Sequence, residues 1–570
     1  MSGNREGELD NAEQRMEVED PDAHVKLFSM RNIKVAQVNF FCGILNGYNI
    51  GFVGVYTTLY GQSTNCAVYT AQVPCETLSN AKCMWDATNN ICTWPEITCQ
   101  LDYTDVESCG SNDKCSWSYQ SDPQVCQHKF GFSSLYSGIF AGSMILGCFF
   151  GSFFGGPISR LIGPRFVFLA VGITAIICSV IFHISTAVDQ FWLLVVFRLI
   201  IGIALGVCCV AAPMFVAENA VPRYSKMIGV LFQVCTTLGI FLAATMGLAL
   251  GQSVQVGANS DQKLMGRMQG LCVLSTVFSI FLLFLGIFLD DGRRKKKSNN
   301  NGENVEEEEI EEAPQEKKYG WGRMTGQLLV AAVVAGTLQL TGINAVMNYA
   351  PTIMGSLGLA PLLGNFIVMV WNFVTTIASV PLASVFSMRQ LFVTCSLITS
   401  CMCLFLCGIP VYPGITTKQA KNGVAITGIL IFIAAFEIGV GPCFYVLAQD
   451  LFPKSFRPKG ASFTNVVQFV FNVIINVFYP IATEKFSGGP SGNPDKGQAI
   501  AFIFFGGVGL LCFVVQVFFL HPWEEKDEDG AEAAPAADAA ANPDSHSADD
   551  KGEKDDHIDF SEARVGVTRD

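Results

Sequence analysis

The chain has 570 residues, half of them hydrophobic, 15% charged, and a formal net charge of −13. Charged residues make up roughly 25% of typical soluble domains, and a mean hydropathy of +0.38 is too high for an ordinary soluble protein of this length. The acidity argues against a nucleic-acid partner, which needs clustered basic residues, and it is concentrated at the chain ends and in one linker.

Residues 1–35 are polar and acidic, with no apolar run after a basic start, so they read as a cytosolic tail rather than a signal peptide. A bilayer span needs about 20 mostly apolar residues. Twelve segments qualify, near 36–60, 131–156, 163–184, 191–216, 227–252, 266–289, 326–355, 363–387, 390–412, 423–448, 460–483 and 497–520. This predicts an all-α membrane protein with six spans in residues 36–290 and six in 324–522. The connector 291–323 holds a basic block, an asparagine patch and an acidic block, which read as a solvated cytosolic linker. The tail 523–570 is acidic, low in complexity and expected to be disordered.

Between the first two spans lies a polar loop, 62–130, with Cys66, Cys75, Cys83, Cys92, Cys99, Cys109, Cys115 and Cys126. Eight cysteines in such a background predict a small disulfide module on the oxidising side of the membrane. Two arms echo each other, "CMWDATNNIC" and "CSWSYQSDPQVC", but sequence does not choose the pairing. A zinc site is the weaker alternative: His128 is the nearby histidine, and no CxxC pair occurs. With the N-terminus inside, linkers on the cytosolic side hold 16 Lys and Arg against 9 on the other. The bias places both termini in the cytosol. The oxidised loop favours the plasma membrane and also fits a vesicular one.

The seventh span contains "LQLTGINAVMNYAP", with Gln339, Thr341, Asn344, Asn348 and Tyr349 and no charge. On a regular helix Thr341, Asn344 and Asn348 share a face about 60° wide, while Gln339 points roughly 140° from Asn344. A break at Gly342 would bring Gln339 to the same side. Polar groups in lipid are costly unless they find partners. Helix–helix hydrogen bonding is one use for them; binding a polyhydroxyl solute is another, since amides donate and accept as hydroxyls do. The two halves also echo each other: "APMFVAENAVPRYSK" ends the fourth span and "GPCFYVLAQDLFPKSFRPKG" ends the tenth. Repeated halves with polar residues at mid-depth are a recurrent transporter plan.

Together "QLTGINAVMNYAP", "PMFVAEN", "FEIGVGP" and "RPKG" resemble the sugar porters of the major facilitator superfamily. Within that family the chain is similar to kinetoplastid hexose transporters. The resemblance implies the major facilitator fold, a discontinuous seventh helix, a hexose substrate and no cofactor. It implies sugar-binding roles for Gln233, Gln339, Asn344, Asn348, Tyr349, Asn372 and Glu437, with Phe436, Tyr445 and Phe469 as aromatic walls. It also implies a charge network between the halves at the cytosolic end, built from Arg198, Glu218, Asp450 and Arg457, with Arg160, Arg165 and Arg389 as further members. The network departs from the family pattern at Ser159, at Ser225–Lys226 and at "DDGRR". Glucose, with room for fructose, is the implied substrate; membrane lipid is the other partner, and oligomeric state is left open.

Proton-coupled members carry an aspartate after Gly-Tyr in the first span. Here "LNGYNIGF" places Asn49 there, which implies facilitated diffusion rather than proton symport. A non-transporting sugar sensor is a further alternative. No metal-spaced histidine cluster, nucleophile–base pair or phosphate loop suggests an enzyme.

Overall fold

The computed structural model describes residues 26 and 28–523, apart from 79–82, 95–98, 111–114, 119–124, 129–130, 252–263, 290–318, 357–359, 416, 490–491 and 522. Most of the N-terminal tail, nearly all of the charged linker and the acidic tail after Trp523 therefore lie outside the described residues.

Among the described residues, twelve helices are long and apolar enough to cross a membrane. They are Met30–Thr64 (span 1), Ser134–Ile162 (span 2), Pro164–Ala187 (span 3), Phe191–Asn219 (span 4), Arg223–Gly251 (span 5), Gly266–Phe288 (span 6), Thr325–Gly355 (span 7), Pro361–Val385 (span 8), Met388–Tyr412 (span 9), Gln419–Asp450 (span 10), Arg457–Ser487 (span 11) and Pro494–Phe519 (span 12). Several run past their apolar cores. Span 1 begins six residues before the expected start, where the Ser29 hydroxyl caps it by accepting from the Asn32 backbone N–H at 3.3 Å. At 1.5 Å per residue its 35 residues exceed the roughly 30 Å hydrocarbon core, so hydropathy alone underestimates it. Spans 3, 8 and 12 open with proline in the first turn, where its missing N–H costs nothing.

The helices form two halves with the same internal pairing. Spans 1 and 5, 2 and 4, and 3 and 6 pack together in the first half; 7 and 11, 8 and 10, and 9 and 12 do so in the second. The halves meet along spans 2 and 11 and along spans 5 and 8. Arg165, at the start of span 3, donates from Nη2 to the Ile287 carbonyl at the end of span 6, at 2.9 Å. Arg389, at the start of span 9, does the same to Val517 at the end of span 12, at 3.0 Å. A cation at a helix C-terminus is favourable. Both arginines therefore brace helices within one half, not the junction between halves.

Span 7 is two helices, Thr325–Leu340 and Ile343–Ser356, broken as expected. Gly342 sits at the break with φ +89°, and a Cβ there would collide with the Phe505 ring. Positive φ and the absence of space both demand glycine. Span 10 carries a wide π turn at Phe436–Val440, a local feature that often marks functional sites.

The cysteine loop folds as two tandem modules. Cys66–Cys83 and Cys75–Cys92 close the first, Cys99–Cys115 and Cys109–Cys126 the second, so each pairs its first cysteine with its third and its second with its fourth. Each contains an antiparallel hairpin: β1 (Met84–Asp86) with β2 (Ile91–Thr93), and β3 (Cys115–Ser118) with β4 (Val125–His128). With all eight sulfurs bonded in pairs, none of them is a thiolate available to zinc. In the first turn, donation from the Asn89 side-chain amide and the Thr88 and Asn89 backbone amides holds the Asp86 carboxyl below its usual range. The Trp94 and His128 rings stack at 4.2 Å and join the modules. At the base of the loop, the Gly131 N–H donates to the Thr64 hydroxyl at 2.9 Å. The thirteen other cysteines are free and mostly buried in the helices.

Candidate functional site

A cavity lies where spans 1, 2, 5, 7, 10 and 11 converge. Of the residues singled out in the sequence, Gln233, Gln339, Asn344, Phe436, Glu437, Tyr445 and Phe469 line it.

Its polar lining is organised by two systems of hydrogen bonds. The first centres on Glu437, which is 2% exposed. Its carboxylate accepts from Asn372 Nδ2 at 2.9 Å, Gln233 Nε2 at 3.1 Å and the Thr376 hydroxyl at 3.1 Å. Three neutral donors from spans 5 and 8 thus satisfy it. The Gln233 bond joins the halves. Asn372 does not line the cavity; it holds Glu437 from behind.

The second system is a chain of amides. Asn344 Nδ2 donates to Gln339 Oε1, Gln339 Nε2 to Gln468 Oε1 at 2.6 Å, and Gln468 Nε2 to Asn465 Oδ1 at 3.3 Å. The break at Gly342 is what turns Gln339 toward Asn344. Gln468 and Asn472 also line the cavity, and sequence reasoning missed both. The signal was present: Asn465, Gln468, Asn472 and Asn476 fall within about 80° on one face of span 11 by the rule already applied to span 7. Asn46 of span 1 and Thr236 of span 5 complete the polar wall.

Asn348 and Tyr349 stand elsewhere. Asn348 Nδ2 donates to Asn476 Oδ1, the Tyr349 hydroxyl donates to the Asn476 carbonyl at 3.0 Å, and the Tyr349 ring lies 5.3 Å from that of Tyr479. They fasten span 7 to span 11 about one turn beyond the cavity, toward the cysteine loop. Gly54 of span 1 approaches the same place; a Cβ there would be 2.8 Å from the Asn348 carbonyl. The Ser134 hydroxyl donates to Glu484 on this side. On the opposite side, where span 1 begins and span 12 ends (the termini side), Gly156 of span 2 meets Ser462 and Pro458 of span 11, and the Phe232 and Tyr445 rings meet edge to face at 4.8 Å. The halves touch on both sides of the cavity.

The expected charge network divides. Glu218 lies within electrostatic reach of Arg160 and Arg457, and Asp450 within reach of Arg457 and Lys226. These groups gather from both halves on the termini side, and Arg457 Nε also donates to the Gln449 carbonyl at 3.1 Å. Arg198 does not belong with them. It is fully buried, seven residues from the loop-side start of span 4, about 10 Å along the helix. Its guanidinium lies 4.6 Å from the Phe140 ring centre and 5.4 Å from that of Phe52, an arrangement that stabilises a cation. Nη2 donates to the Asn49 backbone carbonyl at 3.4 Å. Nε, Nη1 and Asn49 Oδ1 have no hydrogen-bond partner. The Asn49 amide turns back to the Leu45 carbonyl at 2.9 Å. Arg198 thus meets the backbone of Asn49, whose side chain is an amide without charge.

Two six-helix halves around a polar central cavity define a multi-pass membrane protein of the major facilitator fold. Residues 35–523 match the family model described as "Sugar (and other) transporter". The chain is 47% identical to glucose transporter 2A of Trypanosoma brucei brucei, over 89% of its own length and 91% of that protein's. It is 44% identical to membrane transporter D2 of Leishmania donovani, over 92% and 94%. A partially occluded inward-open structure of the xylose transporter XylE from E. coli shares the fold, with a TM-score of 0.58 and 17% identity over 87% of this chain and 99% of that one. The chain belongs to the sugar transporter family.

Proposed function

We propose that the protein carries hexoses, glucose and also fructose, down their gradients by alternating access. The observation that carries this reading is a cavity between the two halves lined by neutral amides from spans 1, 5, 7 and 11 around one satisfied carboxylate. A hexose presents hydroxyls that both donate and accept, and side-chain amides match both roles. Phe436, Tyr445 and Phe469 offer apolar faces to the C–H surface of a sugar ring. The relatives named as glucose transporters support the substrate class. Gln233, Gln339, Asn344, Gln468 and Asn472 are assigned to the sugar hydroxyls, and Asn372 and Thr376 to the support of Glu437.

Alternating access follows from the placement of contacts between the halves. Gly54 against the Asn348 backbone, and Ser134 with Glu484, serve as the loop-side gate; Glu218, Asp450, Arg160 and Arg457 serve as the opposite one. Breaking one set while the other holds would expose the cavity to one side at a time, a shift between two packed arrangements. Facilitated diffusion is favoured over proton symport because Asn49, beside Arg198, cannot exchange a proton in the physiological range. The charge bias and the disulfide loop support cytosolic termini and residence in the plasma membrane.

Zero-trans uptake of labelled glucose in transporter-null cells tests this reading. Saturable uptake, inhibited by unlabelled fructose, is expected. Sugar binding without uptake at normal surface expression would instead identify a receptor.

A further inference from the structure

A second cavity opens on the termini side between the ends of spans 1, 4 and 6. Its mouth carries Arg31 and Lys34, one turn apart on span 1 and both exposed. Arg31 Nε donates to the Asn219 carbonyl at the end of span 4, at 3.1 Å, which fixes the guanidinium at the rim. Below the cations the wall is aromatic. Phe41 belongs to span 1; Phe281, Phe284 and Phe288 recur at i, i+3 and i+7, one face of span 6. From Lys34 to Phe41 the helix descends about 10 Å. No aspartate or glutamate is among the described residues lining the crevice.

A crevice with two cations at its mouth and phenylalanines beneath is amphipathic in the sense of a phospholipid. We propose that it binds one anionic phospholipid of the termini-side leaflet, with the phosphate between Arg31 and Lys34 and the upper acyl chain along Phe41, Phe281 and Phe284. A free phosphate would use the rim and leave the aromatic wall idle; a lipid uses both. Basic pockets between helices on the cytosolic side are suited to anionic headgroups, and each cation near the surface contributes about 1 kcal/mol, roughly five-fold in affinity. The choice of an anionic lipid rests on the cytosolic orientation proposed above. The binding itself requires no transport, so the two readings fail separately.

The test is native mass spectrometry of the purified full-length protein with equimolar phosphatidylserine and phosphatidylcholine. One phosphatidylserine is retained in preference to phosphatidylcholine. Lys34→Gln, at an exposed position, lowers that preference about five-fold, and Arg31→Gln with Lys34→Gln lowers it further, on the order of 25-fold. The pair Lys454→Gln and Lys459→Gln, exposed on the same side but in the other half, leaves it unchanged. An unchanged preference in both Lys34→Gln and the double variant, an equal loss in the control pair, or displacement of the lipid by inorganic phosphate alone would overturn the proposal.

Discussion

The Gln233 amide, in the first half of the chain, donates to the Glu437 carboxylate, in the second half, at 3.1 Å across the cavity. This bond occupies a donor and an acceptor that an incoming hydroxyl group can use. A sugar that replaces it exchanges hydrogen bonds within the cavity and does not have to strip a fixed charge of its water. Gln233→Ala, Gln339→Ala and Asn344→Ala each remove one such partner. A neutral hydrogen bond contributes about 0.5–1.5 kcal/mol net, so the KM for glucose is expected to rise roughly 2- to 12-fold. Uptake kinetics normalised to surface expression check this. An unchanged KM in all three variants would remove them from the site.

Asn49→Asp supplies a carboxylate beside Arg198. A buried charge without a partner is costly, so the variant is expected to be more thermostable at neutral pH, by gel filtration after heating. Its glucose uptake should also become sensitive to external pH, to which the parent protein does not respond. Flat uptake together with unchanged thermostability would mean that Arg198 does not sense position 49.

Gly342→Ala places a side chain at positive φ and against Phe505. The left-handed conformation alone costs a non-glycine residue about 1–2 kcal/mol, and the collision adds to it. Lower thermostability and a weakened response to glucose are expected together, because the break at Gly342 is what joins Gln339 to Asn344. A folded variant with parental KM would show that the break is not needed for the site.

The loop should yield four cystine-linked pairs on peptide mapping without reductant: Cys66–Cys83, Cys75–Cys92, Cys99–Cys115 and Cys109–Cys126. Replacing Cys75 and Cys92 together by serine removes a bridge closing 17 residues, worth about 3 kcal/mol in the unfolded-chain account. Surface display should fall while the KM of the molecules that reach the surface stays the same, since no described loop residue lines the cavity. A changed KM would place the loop in the sugar path.

Much of this was legible before any coordinates. Hydropathy marked the twelve spans because a bilayer imposes a length, and Gly342 marked the break in span 7 because it lies between Gln339 and Asn344. Span 11 carries an equally regular stripe, but Asn465, Gln468, Asn472 and Asn476 lie outside the motifs that carry the family resemblance. Arg198 was misplaced for a different reason. The family resemblance groups it with the charges at the cytosolic end, whereas the Phe52 and Phe140 rings hold it in the interior. Arg165 and Arg389 were read as gate charges, but their partners are backbone carbonyls, which sequence does not display. The π turn at Phe436–Val440, which helps to aim Glu437, left no distinct sequence signal.

The most direct measurement is glucose flux into proteoliposomes containing the purified protein, with and without an imposed proton gradient. The account predicts saturable entry that stops when inside and outside concentrations are equal, at the same initial rate whether or not the gradient is present. Accumulation of a non-metabolised glucose analogue well above its outside concentration, abolished by a proton uncoupler, would contradict it and make Glu437 the proton carrier to test.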